Sequence, residues 1–366
     1  MNKNIKITDI TKKVLRRAIE ENTFWKTSLS PFPKSKAIWL VSNSRIEEDD
    51  YCGVIVHEND KIVTFIYLIP DYLNTNNTEI KKVYWMILWW VDSAYKNTVL
   101  GNYIYSHALN LTNNQILIKA YTQNVDAFYG KQPYRTITTR LRHTLFFSLN
   151  TSSIIGRFPF LKRLKFIIDI NDYFTYFVTR LINKSKLKND IKDLNYEYLN
   201  QLDEDTWKFI EPLCQNDLIL KTKEYINWHI DNAQYTQTPA SRQTYATLHA
   251  GISSNIHIYN LKVLKNNNII GFISYTINYG ECNVKYFLGA NEDHYDYCVS
   301  ALIDNLYATK AKFIFTDDTK LSDAIVKKYI TVYNYKISKK GLVHNDINLS
   351  TTNKGLVLQN SDGHFY

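Results

Sequence analysis

With 366 residues, 45% of them apolar and 22% charged, the chain has a globular composition and is too long for one ordinary core, so two domains are expected. Its four cysteines (Cys52, Cys214, Cys282, Cys298) form no CxxC pair and its histidines no HxxxH pair. That spacing argues against a zinc ribbon, a disulfide framework or any structural metal, and for a reducing compartment. The amino end is polar and the longest apolar run, 83–91, falls far short of the ~20 residues a membrane helix needs, so the expectation is a cytoplasmic chain, neither exported nor integral.

In chain order, Thr8 or Asp9 is placed to cap a helix through about residue 21, with Val14, Leu15, Ala18 and Ile19 as its apolar stripe. A second helical piece follows the Pro31-Phe32-Pro33 break, over 35–41. Residues 51–57 and 62–69 read as a hairpin turning at 58–61, ended by Pro70. The run 83–91 is almost continuously apolar, as a central strand covered on both faces would be. Then come a helix over 98–111, a strand over 115–121, a short helix over 124–129 and a closing strand over 135–149.

Charge is concentrated in the next stretch. Residues 135–188 hold eleven Lys/Arg against Asp169 and Asp172, which accounts for the whole net charge of +9. Such a block is an electrostatic footprint for an anionic partner, a membrane surface or a polyanion. Within it, 158–169 and 173–182 read as two short helices separated by Asn171-Asp172. The packed inter-domain linker and the interfacial membrane helix are both open readings.

From residue 196 a similar order returns: helices over 203–212 and 223–230, a hairpin of 256–264 and 269–277, a strand over 281–289, a helix over 295–309, a strand over 312–316 and a helix over 322–330. The matching hairpins suggest an internal repeat. The expected fold class is α/β (α+β), two domains in tandem, each a mixed, mostly antiparallel sheet flanked by helices. Expected boundaries are 1–150, a basic amphipathic connector at 151–190, a second domain at 191–348 and a polar, fraying tail at 349–366.

The stretch with chemical content runs from Trp89 to Asn102: an apolar strand ends, a short polar loop turns and a helix begins. A helix start offers unpaired N–H groups and a positive dipole end, which suit a diphosphate, and Lys96 adds a point charge. Gly101 permits a close backbone approach. Lys96-Asn97-Thr98-Val99-Leu100-Gly101 resembles the acyl-CoA loop of the GNAT acyltransferase superfamily, Arg/Gln-x-x-Gly-x-Gly/Ala after a strand. Phe128-Tyr129-Gly130-Lys131-Gln132-Pro133-Tyr134 is similar to that family's Phe-Tyr-x-Lys-x-Gly-Phe, and the resemblance extends in element order over 5–149. Lys96 stands in place of Arg or Gln, and Val99 in place of the first Gly; a valine fits if φ there is negative.

The resemblance implies two GNAT-like domains, the first binding acetyl-CoA or another acyl-CoA and the second degenerate. It implies that the amides of Val99, Leu100, Gly101 and Asn102 face the pyrophosphate, that the strand at Leu88, Trp89 and Trp90 pairs with the pantetheine, and that Tyr129 protonates the leaving thiolate. The implied function is an N-acyltransferase acting on a small-molecule amine, for instance an amino sugar or a cell-surface precursor. The strand 83–91 carries no carboxylate, so the general base is open among the flanking Glu79 and Asp92 and the histidines His57 and His107. The acidic residues 292–297 have the wrong sign for a pyrophosphate in the second domain. Two alternatives stand beside this: a Fem-like transferase using aminoacyl-tRNA, with 135–188 on the nucleic acid, and a non-catalytic protein bound to the inner membrane surface.

Overall fold

The computed structural model describes residues 5–74, 81–235, 246–249, 256–349, 357–363 and 365. The chain divides into two compact units interleaved in sequence: 1–139, 214–254 and 340–366 form the first, and 140–213 and 255–339 the second. Expected boundaries at 150, 190 and 348 follow the chain, whereas these units are interleaved in it.

The first unit opens with β1 (Ile5–Thr11), α1 (Lys12–Glu21), β2 (Leu29–Ser30) and α2 (Lys34–Val41). Thr11 caps α1 by accepting from the Val14 amide at 3.2 Å. Thr8 and Asp9, expected as the cap, lie instead in β1, which pairs antiparallel with the next strand. β3 (Tyr51–Glu58) and β4 (Lys61–Leu73) meet at Asn59 and Asp60, whose φ values of 49° and 67° make the two-residue turn that matches strand twist. β4 continues through Pro70, which faces Tyr84; the Tyr84 amide bonds away from β4, to the Gln115 carbonyl at 2.8 Å, so the missing proline N–H leaves nothing unpaired there. β5 (Lys81–Val91), α3 (Leu100–Leu111), β6 (Ile116–Ile118), α4 (Asp126–Tyr129) and β7 (Tyr134–Phe146) follow. The sheet order is β1-β3-β4-β5-β6, antiparallel except for β5–β6.

In the second unit the chain continues through α5 (Thr151–Arg157), α6 (Lys165–Asp190), β8 (Leu194–Tyr198) and α7 (Glu204–Ile210). It passes through α8 (Lys223–His229) and β9 (Ala246–Thr247), which belong to the first unit, and returns for β10 (His257–Lys265), β11 (Asn268–Asn278) and β12 (Glu281–Gly289). α9 (Glu292–Ala308), β13 (Phe313–Thr316), α10 (Thr319–Lys328) and β14 (Tyr333–His344) complete it, and the end of β14 pairs with β6 in the first unit, Leu342 opposite Ile118. From the second half of β7 the order is β7-β13-β12-β11-β10-β8, antiparallel except for β12–β13. The break expected at Asn171-Asp172 between two short helices is absent: α6 runs through it from Lys165, and Pro159–Leu164 form a separate 3-10 turn before it. Asn171 donates to the Ile167 carbonyl at 2.8 Å and Asp172 is buried against Lys312 at 2.5 Å, so neither residue breaks the helix.

The two units share two local features. Asn266 and Asn267 (φ 50° and 61°) turn β10 into β11 as Asn59 and Asp60 turn β3 into β4. β5 has an extra residue, Ile87, two beyond its last parallel partner Trp85; β12 has an extra residue, Lys285, two beyond its last parallel partner Asn283. One core lies between α3 and the first sheet, including Val54, Ile66, Leu68, Met86, Ile104 and Ala108. The second lies around α9, including Leu261, Ile273, Val284, Leu302 and Leu306. Each of these valine, leucine, isoleucine and methionine side chains, fully removed from water, stabilises by roughly 1.5–3 kcal/mol.

The tail differs from the expected frayed end. In the first unit, Val357 bridges to Asp217, Lys119 donates to the Gln359 carbonyl at 3.1 Å, and Lys221 pairs with the fully buried Asp362. Burial, together with the neighbouring Asp362 carboxylate and against the pull of Lys221, raises the Asp217 carboxyl to about 7. The folded state therefore holds a proton that the unfolded chain releases near pH ~4. This group makes stability fall as pH rises from about 4 to about 7 and level off above. Asp217→Asn should flatten that part of the melting-temperature profile; equal declines for both proteins between these pH values would contradict the assignment.

Candidate functional site

β5 pairs with β4 along its length but with β6 only at Tyr84 and Trp85. Beyond Trp85 the two parallel strands part, and no described strand takes up the open side of β5. The register decides which backbone groups face that side. Asp92 donates to the Val63 carbonyl at 2.9 Å and Thr64 Oγ1 donates to the Trp90 carbonyl at 2.7 Å. Because alternate residues turn their N–H and C=O groups to opposite edges, Leu88 and Trp90 are engaged with β4, while Trp89 and Val91 face the open edge. Of Leu88, Trp89 and Trp90, the register turns Trp89 alone toward the open edge.

The loop after β5 is held at its start. Asp92 Oδ1 accepts from the Ala94 amide at 2.9 Å and Oδ2 from Lys61 at 2.8 Å, and the Lys61 bond holds the carboxyl below its usual range. An acid this well satisfied is a poor general base. Lys96 is exposed on the loop. Val99 has φ −69° and ψ −11°, so the valine is unstrained, and its side chain is 82% exposed.

Val99, at the N-cap of α3, offers no side-chain cap, and the first turn carries no acid. Tyr103 donates to the Val99 carbonyl at 2.9 Å and Leu100 reaches Thr98 Oγ1 at 3.3 Å. The amides of Val99, Gly101 and Asn102 find no acceptor among the described residues. Gly101 has a packing role beyond the one expected from the sequence: a Cβ there would meet Val91 Cγ2 at 3.3 Å and Trp89 Cζ2 at 3.8 Å, so the missing side chain lets α3 sit close against β5.

Aromatic rings pack beside the end of β5. Trp89 stacks on Tyr105 at 5.1 Å and tilts against Phe128 at 5.0 Å, and its Nε1 is buried without an acceptor. Tyr129 packs against Tyr121 and Tyr134 at 5.0 and 5.8 Å, while Tyr105 donates to Tyr134 Oη at 3.0 Å. Burial, reinforced by Tyr105 and Tyr121, pushes the Tyr129 phenol well above its ordinary value, so it stays protonated. Sequence reasoning missed Val91, Tyr105 and the bulge at Ile87; aromatic spacing could have flagged Tyr105, but a bulge leaves no side-chain signal.

The remaining candidates for a base separate. His107 Nε2 is hydrogen-bonded to Asp9 Oδ1 at 2.7 Å. His57 is half-buried on β3, and its affinity for a proton is lowered by burial and by Lys6. Trp85 is core, donating to Asp71 Oδ2 at 3.1 Å. Glu79 lies outside the described residues.

The second unit has the parting strands but not the loop. Only Ala290 and Asn291 separate β12 from α9, Asn291 Oδ1 accepts from the His294 amide at 3.0 Å, and Glu292 and Asp293 occupy the first turn. At the bulge stands Lys285, buried, its ammonium brought down to about 7 by loss of hydration. Part of the basic block is structural: Arg140 and Arg142 hold Asp317 at 2.7 and 2.9 Å, and Arg135 donates to the Asn345 and Ile347 carbonyls.

Among the described residues no group of three or more His, Cys, Asp or Glu is placed to hold a metal, and no helix is long and apolar enough to cross a membrane. No family model and no curated protein matches the chain. Among solved structures it is similar to a GCN5-related N-acetyltransferase from Kribbella flavida, at 11% identity over 94% of this chain and 73% of that one, TM-score 0.46. A GCN5-related N-acetyltransferase from Anabaena variabilis is similar at 7% identity over 93% and 72%, TM-score 0.46. A tandem GNAT protein from the clavulanic acid biosynthesis pathway is similar at 8% identity over 93% and 98%, TM-score 0.48.

Proposed function

We propose that the chain is an N-acyltransferase that takes its acyl group from acyl-CoA on the first unit. One arrangement carries the reading: a parallel strand pair that parts beyond Trp85, with a helix start at the far end of the open edge on which the amides of Val99, Gly101 and Asn102 find no acceptor among the described residues. Such amides, at the positive end of α3, match the charge of a diphosphate, and Lys96 adds to the field. The open edge at Trp89 and Val91 matches a pantetheine arm, whose amides hydrogen-bond as a strand does.

In this reading the amine acceptor, an amino sugar or a cell-surface precursor, attacks the thioester carbonyl. Carbon–sulfur cleavage follows, the expelled thiolate takes its proton from Tyr129, and the proton shed by the acceptor nitrogen passes to solvent water, which restores the phenol. Catalysis rests on positioning and on donors that meet the developing oxyanion. The phenol is held protonated by its surroundings, which keeps its O–H available as a hydrogen-bond donor to the thiolate while making it a weaker acid than an ordinary tyrosine.

Native mass spectrometry of the purified chain should find a CoA thioester bound after mild desalting. In steady-state assays over a panel of amines, with thiol release as the readout, Tyr129→Phe should lower kcat by about 10²-fold or more, the size of a lost general acid, with little change in acyl-CoA affinity. Equal turnover in the variant would remove Tyr129 from the mechanism. No bound or added CoA species with any acyl group would remove the donor site.

A further inference from the structure

The helix α6 has two unlike faces. Asp172, Tyr176, Thr179, Asn183 and Leu187 are buried at spacings of three and four, and Asn183 fixes that face by donating to Tyr307 Oη at 2.7 Å and the Ile330 carbonyl at 2.9 Å. At 100° per residue, the opposite side carries Phe166, Ile170, Tyr173, Phe174, Phe177 and Leu181, all between 47 and 76% exposed. Phe158, Phe160 and Leu164, in the turn leading into the helix, are also exposed, at 43, 75 and 48%. So much contiguous apolar surface on one helix marks a contact face.

Its charges say what it meets. Lys162 and Arg163 precede the apolar stripe, and Lys184 and Lys188 continue it at the other end, on the same side of the helix. The acids in the stretch are withdrawn: Asp169 pairs with Lys165 at 2.5 Å, and Asp172 is buried against Lys312. A second copy packed on this face with its helix antiparallel would set Lys162 and Arg163 against Lys184 and Lys188, like charge against like. A bilayer crossing is excluded for this helix by its buried polar side, and the stripe from Phe166 to Leu181 is only about 24 Å long at 1.5 Å per residue.

We infer that the outer face of α6, with the turn before it, docks the second unit on an anionic membrane surface. The helix lies in the interface plane, its phenylalanines enter the headgroup–acyl boundary, and the lysines and arginine at the two ends meet lipid phosphates. This is independent of the acyl-donor site and stands or falls without it.

The test is sedimentation of the full chain with phosphatidylcholine vesicles, with and without about one third phosphatidylglycerol. Partition onto the anionic vesicles should be at least about tenfold stronger than onto the neutral ones. Phe166→Ser with Phe174→Ser should weaken it about tenfold or more while leaving the urea midpoint unchanged, because both rings already face water. K162E with R163E should abolish the preference for anionic lipid and leave weak binding to both. The inference is overturned if the wild-type chain stays in the supernatant with both vesicles, or if the double-serine variant binds like wild type. It is equally overturned if sedimentation equilibrium shows a dimer that this variant converts to a monomer.

Discussion

Asp71→Ala should destabilise the first unit by about 3–5 kcal/mol, the usual cost of stranding one half of a buried ion pair. Asp71 is buried and accepts from Arg45 at 3.1 Å, Tyr225 Oη at 2.9 Å, Trp85 Nε1 at 3.1 Å and its neighbouring Tyr72 amide at 2.9 Å. Truncation removes the shared acceptor of a guanidinium, a phenol and an indole donor that lie away from water. Asp71→Asn, which keeps an acceptor oxygen, should cost less. Six of the seven tryptophans lie in the first unit, so urea unfolding followed by intrinsic fluorescence reads this unit selectively. A variant within ~0.5 kcal/mol of wild type, the range of an ordinary surface substitution, would mean that the network is not formed in solution.

Gly101→Val should weaken acyl-CoA binding by at least about tenfold, or 1.4 kcal/mol. A Cβ already presses on Val91 Cγ2 at 3.3 Å, so two further methyl groups must push the start of α3 away from β5 and misplace the free amides. Gly101→Ala, which adds only the Cβ, should lose less. The readout is the acyl-CoA dissociation constant beside the far-UV spectrum. Unchanged affinity in the valine variant would show that the ligand does not depend on the seat of α3.

How far the sequence shows this depends on what kind of signal each feature leaves. Both two-residue turns are legible because Asn59-Asp60 and Asn266-Asn267 tolerate positive φ between β-prone runs. The loop at residues 92–99 is legible from the strand that ends before it and the lysine within it, and the contrast with the second unit from the acids Glu292 and Asp293. β1 is hidden because Thr8 and Asp9 are good cap residues in front of a helical pattern, and pairing with β3 overrides that local preference. β14 is hidden because its first residues are mostly exposed and show no clean alternation. Which of Leu88, Trp89 and Trp90 turns its backbone outward depends on the bulge at Ile87, a property of register that residue types do not encode. The packing role of Gly101 required knowing which strand side chains lie beneath it.

The most direct measurement is a calorimetric titration of the wild-type chain with acetyl-CoA and longer acyl-CoAs, repeated with an acetyl-pantetheine that lacks the diphosphate. The account predicts saturable binding of at least one CoA thioester, and at least about tenfold weaker binding when the diphosphate is removed, the loss of several charge-assisted amide hydrogen bonds. Equal affinity for the two forms, or no heat with any thioester, would contradict it.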